Sequence, residues 1–193
     1  MISRIAVIRT ACAASAALLL AWMPAWAQPT PAGADPKINE RFLNPGLEWQ
    51  ERFEGESREI YSRRNDIVTT SGVKPGMTVA DVGAGSGFMA LLFAKQVGPS
   101  GRVIAADISK VFAMAIAVRA RNEGLTNVST VVSTQTETGL PADSVDIVIT
   151  TDVYHHFEQV AAVLGSIHRA LKDRKSTRLN SSHVSESRMP SSA

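Results

Sequence analysis

From residue 77 onward, short apolar runs alternate along the chain with longer stretches of helical periodicity. The apolar runs, which predict strands, cover residues 77–82, 102–107, 127–132 and 144–150. Helical stretches fill the intervals at 88–97, from Ser109 to about Glu123, and at 157–172. Because strands that alternate with helices are joined by right-handed crossovers, the pattern predicts an α/β fold with a doubly wound, mostly parallel sheet.

The pattern upstream of these runs is different. Residues 28–46 are rich in Pro and Gly and predict an extended lead-in. From Leu47 to about Thr70, apolar residues recur at helical spacings with charged residues between them. This stretch predicts an amphipathic helix that Gly55 weakens or divides.

The first 27 residues have the features of a secretory signal peptide. Arg4 and Arg9 precede an apolar stretch at 11–20, and the small-x-small sequence Ala-Trp-Ala ends at Ala27. We therefore expect cleavage after Ala27, export, a periplasmic location and no stable membrane span after cleavage. The alternative is an uncleaved membrane anchor. The single cysteine, Cys12, lies in this leader, so the mature chain has no disulfide framework.

Charge and histidine spacing argue against two kinds of ligand. Residues 28–172 contain 14 basic and 16 acidic residues, which gives no electrostatic basis for nucleic-acid binding. His155 and His156 are adjacent, so their side chains point in different directions, and neither Cys nor an acidic residue stands at ligand spacing. We therefore expect no metal site.

A glycine-rich turn, DVGAGSG at 81–87, joins the first predicted strand to a helix. Glycines let the backbone approach a ligand closely, and the following helix N-terminus favours polar or anionic groups. Asp107 ends the next strand, where a carboxylate can accept hydrogen bonds from both hydroxyls of a ribose. The combination predicts a nucleoside site in a Rossmann-like domain. The alternative is an ordinary tight turn with a solvated aspartate.

The spacing G-x-G-x-G, with Asp81 two residues before Gly83, resembles the first motif of the class I S-adenosylmethionine-dependent methyltransferases. The resemblance extends from about Ile60 to Lys172 and is strongest to the small-molecule branch of the family. It implies S-adenosyl-L-methionine as cofactor and a small-molecule methyl acceptor. A dinucleotide-dependent oxidoreductase is a weaker alternative, because Phe88 occupies the position of the third fingerprint glycine.

The resemblance also implies a set of cofactor-binding residues. Its members are Asp81, Gly83, Gly85, Gly87, Asp107, Gln135 and Asp152. The three glycines would line the methionine moiety and ribose, and Asp81 would organise the loop or reach the methionine amino group through water. Asp107 would bind the ribose, and Asp152 would lie under the cofactor. Gln135 stands where many relatives carry an acidic residue and could hydrogen-bond the adenine edge.

The catalytic residues are less well defined by the sequence. His155 could act as a general base, since the unperturbed pKa of histidine is about 6.5. Tyr154 is a second candidate on the substrate side. The alternative is that His155 or His156 caps a helix beginning near Phe157, because methyl transfer needs mainly alignment and exclusion of water.

The predicted N-terminal helix could close over the cofactor. Arg58, Tyr61 and Arg64 would then be candidates for binding the methionine carboxylate or an anionic substrate. The alternative is a solvated helix face that is packed on the sheet through Trp49, Phe53 and Ile60.

Residues 173–193 differ in character from everything before them. Of these 21 residues, 18 match in one frame the translation of an indexed sequencing adapter, so we expect a non-native tail. Residues 47–172 would then form an incomplete methyltransferase domain, with four strands present and the C-terminal strands missing. We expect the chain as written to be inactive, and function to belong to the full-length protein. The alternatives are a disordered Ser-rich tail and, for function, a non-catalytic nucleoside-binding module.

Overall fold

The computed structural model describes residues 36–46 and 48–172. The predicted signal peptide, the first part of the lead-in and the predicted adapter-derived tail lie outside the described residues. Within the described residues, no helix has both the length and the apolar character needed to cross a membrane.

Four parallel strands form the centre of the domain. They are β1 (Thr78–Val82), β2 (Arg102–Asp107), β3 (Val128–Val132) and β4 (Ile147–Ile149). Their order is β3-β2-β1-β4, and Val79 of β1 lies opposite Val103 of β2 and Ile147 of β4. The chain therefore moves outward from β1 in one direction and then in the other, which places a topological switch point between β1 and β4. This confirms the predicted α/β fold with a Rossmann-like parallel sheet.

Helices cover both faces of the sheet. They are α5 (Phe88–Val97), α6 (Lys110–Asn122) and α7 (Val160–Ala170). Alternate strand residues face opposite sides, so Val79 packs in the cluster that contains Phe93 of α5, whereas Ala80 packs in the cluster that contains Ile167 of α7. As predicted, Ser109 caps α6, and its side chain accepts from the Phe112 amide at 3.3 Å.

The predictions for the last strand and helix are too long. The strand expected at 144–150 is limited to β4, and the helix expected to begin near Phe157 begins at Val160. A short 3₁₀ turn, Tyr154–His156, comes between them. It redirects the chain from the sheet edge towards the helix layer.

The N-terminal region is more broken than its sequence pattern predicts. A 3₁₀ turn (Pro36–Asn39) leads directly into α1 (Glu40–Leu43), so the extended lead-in is wrong for this part. The single helix expected from Leu47 to Thr70 is three short ones. These are α2 (Glu48–Phe53), α3 (Glu59–Ser62) and α4 (Arg64–Thr70). Gly55 lies in the break between α2 and α3, where the division was expected.

The backbone after α7 returns to the sheet. Leu171 makes a parallel bridge with Val145, just before β4, and the Lys172 amide donates to the Val145 carbonyl at 2.9 Å. The chain therefore begins to pair on the side of β4 that β1 does not occupy.

Candidate functional site

A cavity of about 320 Å³ opens at the C-terminal ends of the parallel strands. Its wall contains the end of β1, the glycine-rich turn, the end of β2 and the segments that follow β3 and β4. Ligands of open α/β sheets bind in this position, beside the topological switch point. The volume lies in the range of small-molecule and cofactor sites.

The glycine-rich turn is held against β2 and forms part of the cavity wall. The amides of Gly83 and Ala84 both donate to the Ala106 carbonyl, at 2.7 and 3.2 Å. Gly85 has φ +54°, and a Cβ at this position would lie 3.1 Å from the Phe53 ring. Gly83 and Gly85 therefore lie where the sequence placed them, at the cavity surface.

Gly87 has a different environment from the one expected. It begins α5 with φ +81°, and a Cβ there would lie 2.5 Å from Cγ1 of Ile116 on α6. Gly87 is not among the residues that line the cavity. The glycine at position 87 thus allows close packing of α5 on α6.

Asp107 connects the end of β2 to the glycine-rich turn. Its Oδ2 accepts from the Gly85 amide and its Oδ1 from the Ser109 amide, both at 2.8 Å. Burial raises the pKa of Asp107, and the backbone N–H groups of Ser109, Gly85 and Ile108 act against that rise. The carboxylate is thus fixed at the cavity, and each oxygen keeps a lone pair that can accept from a ribose hydroxyl.

Asp81 is a second buried carboxyl group in the wall. Burial, followed by the nearby Asp107 charge, raises the pKa of Asp81 to about 7, although the Ala90 amide opposes this. Its Oδ2 has no hydrogen-bond partner among the described residues, and neither do the hydroxyls of Ser86 and Thr151. All three residues line the cavity. Because buried polar atoms are normally satisfied, this group of acceptors fits a cationic donor such as the ammonium of a methionine moiety.

Gln135 and Asp152 also line the cavity, on opposite sides of the sheet centre. The amide nitrogen of Gln135 donates to Glu158 at 2.7 Å. Asp152 follows β4 with φ +55°, a left-handed conformation that is uncommon outside glycine. Its carboxylate is paired with Arg58.

The two histidines, but not Tyr154, reach the cavity. Nδ1 of His155 lies 3.9 Å from Asp152, and His156 forms an edge contact with Phe42 at 5.0 Å between ring centroids. Burial, with the charges of His155 and Arg41, lowers the pKa of His156 to about 4 against the opposing effect of Asp152. His156 is therefore neutral at pH 7.

Tyr154 and the N-terminus of α7 lie next to the histidines but outside the cavity wall. Tyr154 packs on Phe157, at 5.7 Å between ring centroids, in the cluster that contains Ile167 of α7, and it is not part of the cavity wall. Capping by a histidine is wrong, because the cap residue of α7 is Gln159, which makes no side-chain cap hydrogen bond. Among the residues described, no group of His, Cys, Asp and Glu is arranged to hold a metal ion.

Residues 36–46 and 48–62 lie over the cavity, and we call them the N-terminal cover. Phe42, Trp49 and Phe53 of the cover are in mutual ring contact, and Phe53 also packs on Phe112 of α6 at 5.8 Å. All four aromatic residues line the cavity. The helical spacing indicated Trp49 and Phe53 only as packing residues, and no pattern in the sequence pointed to Phe42.

Polar contacts hold the cover in three places. The side-chain amide nitrogen of Asn39 donates to the backbone carbonyl of His156 at 2.9 Å and to the carboxylate of Glu158 at 2.8 Å. Arg119 of α6 forms a two-pronged ion pair with Glu54, and Arg58 pairs with Asp152. Arg58 is thus at the site.

The other two residues proposed from the cover region are not part of the cavity wall. Tyr61 packs on Phe88 at 5.6 Å between ring centroids, and the guanidinium of Arg64 lies 4.2 Å from the Tyr61 ring. Neither side chain therefore lines the cavity.

Comparison with known proteins agrees with this geometry. Residues 79–174 match the family model described as "Methyltransferase domain". With the parallel sheet and the relatives described below, the match shows that the chain belongs to the class I S-adenosylmethionine-dependent methyltransferases. S-adenosylmethionine is the cofactor of this family, and the residues of the cavity fit it.

Individual relatives support the same family. The chain is 31% identical over 110 residues to a ubiquinone/menaquinone biosynthesis C-methyltransferase of Hydrogenovibrio crunogenus, covering 56% of this chain and 43% of the relative. It is 32% identical over 115 residues to the nocamycin O-methyltransferase of Saccharothrix syringae, covering 60% of this chain and 40% of the relative. The chain thus spans less than half the length of these relatives.

A solved structure gives a similar result. The crystal structure of a SAM-dependent methyltransferase from Aquifex aeolicus superposes with a TM-score of 0.55 at 26% identity. The superposition covers 71% of this chain and 67% of that one.

Proposed function

We propose that the full-length protein transfers the methyl group of S-adenosylmethionine to a small-molecule acceptor. The observation that carries the proposal is the pair of buried carboxyl groups, Asp81 and Asp107, which face one cavity at the ends of adjacent strands. Asp107 would hold the ribose hydroxyls. Asp81 and Thr151 would receive the ammonium of the methionine moiety.

The remaining residues of the cavity wall would align the acceptor and exclude water. When bound, the cofactor supplies an electrophilic methyl group. The aromatic residues of the N-terminal cover would exclude water from the acceptor side and pack against a planar or apolar acceptor. His155 and the neutral His156 are the groups in the wall that could take a proton from an acceptor O–H or N–H.

The relatives support a small organic acceptor. Their names specify a carbon acceptor in quinone biosynthesis and an oxygen acceptor in nocamycin. Two acceptor atoms thus occur among relatives of nearly equal similarity, so we propose the class of acceptor and not the atom.

A label-transfer experiment tests the proposal. Full-length protein would be incubated with S-adenosylmethionine labelled in the methyl group and with the small-molecule fraction of a cell extract. We expect label in an extracted product, and much less of it from the Asp107→Ala variant when the cofactor is below saturation. Absence of both cofactor binding and label transfer would contradict the proposal.

A second function is a nucleoside-binding module without methyl transfer. The leader favours it, because the cofactor is made in the cytoplasm and an exported protein would be separated from that supply. Cofactor binding by the full-length protein without transfer to any acceptor would support this function over the first.

We also propose that the protein is exported to the periplasm, with cleavage after Ala27. The basic start, the apolar stretch and the Ala-Trp-Ala sequence of the leader support this.

A further inference from the structure

Glu158 accepts hydrogen bonds from two amide side chains that come from distant parts of the chain. Its Oε1 accepts hydrogen bonds from Nε2 of Gln135 at 2.7 Å and from Nδ2 of Asn39 at 2.8 Å. The same Asn39 nitrogen donates to the His156 carbonyl at 2.9 Å. One carboxylate oxygen thus connects the loop after β3 to the N-terminal cover.

These contacts determine which way both amide groups face. An ionised carboxylate only accepts, so Glu158 must be met by the NH₂ group of Gln135 and not by its carbonyl. The same holds for Asn39, whose two partners are both acceptors. The side-chain carbonyl oxygen of Gln135 is therefore available to a ligand. It makes no hydrogen bond to the residues that the structure describes.

The strand order indicates what would meet that oxygen. Asp107 ends β2, and β3 lies on the outer side of β2, so a nucleoside held through its ribose at Asp107 extends its base towards the loop after β3. Gln135 stands in the wall of the cavity on this loop. Adenine carries an exocyclic amino group, which donates, whereas hypoxanthine carries a carbonyl at that position, which accepts.

We propose that Glu158 is a positioning residue that fixes the Gln135 amide with its carbonyl oxygen towards the amino group of the cofactor's adenine. Asn39 would attach the N-terminal cover to the same carboxylate. Glu158 itself is not part of the cavity wall, so it acts through Gln135. The inference rests on the proposed function, since it takes S-adenosylmethionine as the ligand.

The test compares two ligands that differ only at the base. Full-length protein would be titrated with S-adenosylhomocysteine and with S-inosylhomocysteine, in which a carbonyl replaces the amino group. For the unmodified protein we expect about tenfold or greater preference for the adenine form, because a fixed carbonyl oxygen would face another carbonyl oxygen in the inosine form. Glu158→Ala frees the Gln135 amide to turn, so the preference should fall to within about threefold.

Controls separate positioning from general damage. Asp66→Ala also removes a carboxylate, but Asp66 is exposed on α4, outside the N-terminal cover, and does not line the cavity, so this variant should keep the preference. Gln135→Leu removes the carbonyl oxygen and should lower the preference as Glu158→Ala does. A loss of affinity that is equal for both ligands in Glu158→Ala, with the preference retained, would overturn the inference.

The outcomes also distinguish this inference from the proposed function. If the unmodified protein binds neither ligand, the proposed function itself fails. If it prefers the adenine form and Glu158→Ala prefers it equally, the cofactor site stands and the role of Glu158 is refuted.

Discussion

At the scale of single residues, Asp107 has the best-defined contacts in the cavity wall. Both of its oxygens accept backbone hydrogen bonds, so its position is fixed before a ligand arrives. Asp107→Ala should weaken cofactor binding by roughly 1–3 kcal/mol, the cost of losing hydrogen bonds to a charged group. Calorimetry on the full-length protein measures this. Asp66→Ala, which removes an exposed carboxylate on α4, is the matched control, and unchanged affinity in Asp107→Ala would exclude Asp107 from the site.

Asp81 gives the site a dependence on pH. Its pKa of about 7 means that the carboxyl is neutral below that pH and ionised above it. A bound ammonium favours the ionised form, so binding releases a proton and tightens as the pH rises. Between about pH 5.5 and about pH 7, the affinity for S-adenosylhomocysteine should rise by up to about tenfold per pH unit.

The Asp81→Asn variant tests this dependence. Asparagine cannot ionise, so the affinity of this variant should be lower at neutral pH and nearly constant over the same range. Isothermal titrations in buffers of different ionisation enthalpy would also detect the released proton. An equally steep pH profile in the variant would assign the titration to another group.

Much of the residue-level site could be predicted from the sequence, because Asp81, Gly83, Gly85 and Asp107 are fixed by local spacing and by strand ends. The contact of Gly87 with Ile116 of α6 could not be predicted, since no local pattern joins these two positions. The contacts of Glu158 depend on residues more than twenty positions away along the chain, so no local pattern predicts them.

At the scale of elements, the glycine-rich turn can be tested against another left-handed glycine. Gly85 and Gly98 have φ of +54° and +68°, but a Cβ at Gly98 would meet nothing within 4 Å, whereas one at Gly85 would press on Phe53. Both Gly→Val changes should lower stability through backbone strain, by about 1 kcal/mol or more. Only Gly85→Val should lose cofactor affinity, by more than about tenfold, because its side chain enters the cavity. Thermal melting and calorimetry on both variants separate the effects, and normal binding by Gly85→Val would show that the turn does not contact the cofactor.

The elements from β1 onward followed the sequence pattern because each strand and helix has its own apolar period. The N-terminal elements did not. The short helices α1, α2 and α3 are held by aromatic contacts and by ion pairs such as Glu54–Arg119, which join them to distant parts of the chain. Helical periodicity alone therefore predicted one long helix in place of α2, α3 and α4.

At the scale of the whole molecule, the leader predicts where the protein is found. Cell fractionation should place the mature protein outside the cytoplasm, and N-terminal sequencing should begin at Gln28. Changing Ala27 and Ala25 to bulky residues should block cleavage, because the small-x-small sequence is lost. A cytoplasmic protein that begins at Met1 or Ile2 would contradict export and remove the separation from the cofactor supply.

The pairing at the outer edge of β4 can be compared with the sequence of residues 173–193. Leu171 already pairs in parallel with Val145, and the Lys172 amide donates to the same residue, so the backbone enters a strand position beside β4. A strand there should be apolar and β-branched, because both faces of a parallel sheet are buried. The residues that follow, DRKSTRLNSS at 173–182, do not have this pattern, which agrees with the proposal that they derive from an adapter.

We therefore predict that genomic DNA read across codon 172 encodes a short apolar strand in place of this tail. Among residues 36–46 and 48–172, no strand pairs with the outer side of β4. An edge left open there would have unpaired backbone N–H and C=O groups, and burial is worth about 25 cal/mol per Å² of apolar surface. Since folding stability is only about 5–15 kcal/mol, losing several hundred Å² of buried surface would remove most of it. The full-length protein should thus show a cooperative thermal transition and bind S-adenosylhomocysteine, whereas residues 28–193 should do neither. A genomic frame that encodes RKSTRLNSS would show that the tail is native. Cooperative melting of residues 28–193 together with micromolar binding would show that the four described strands suffice for the cavity.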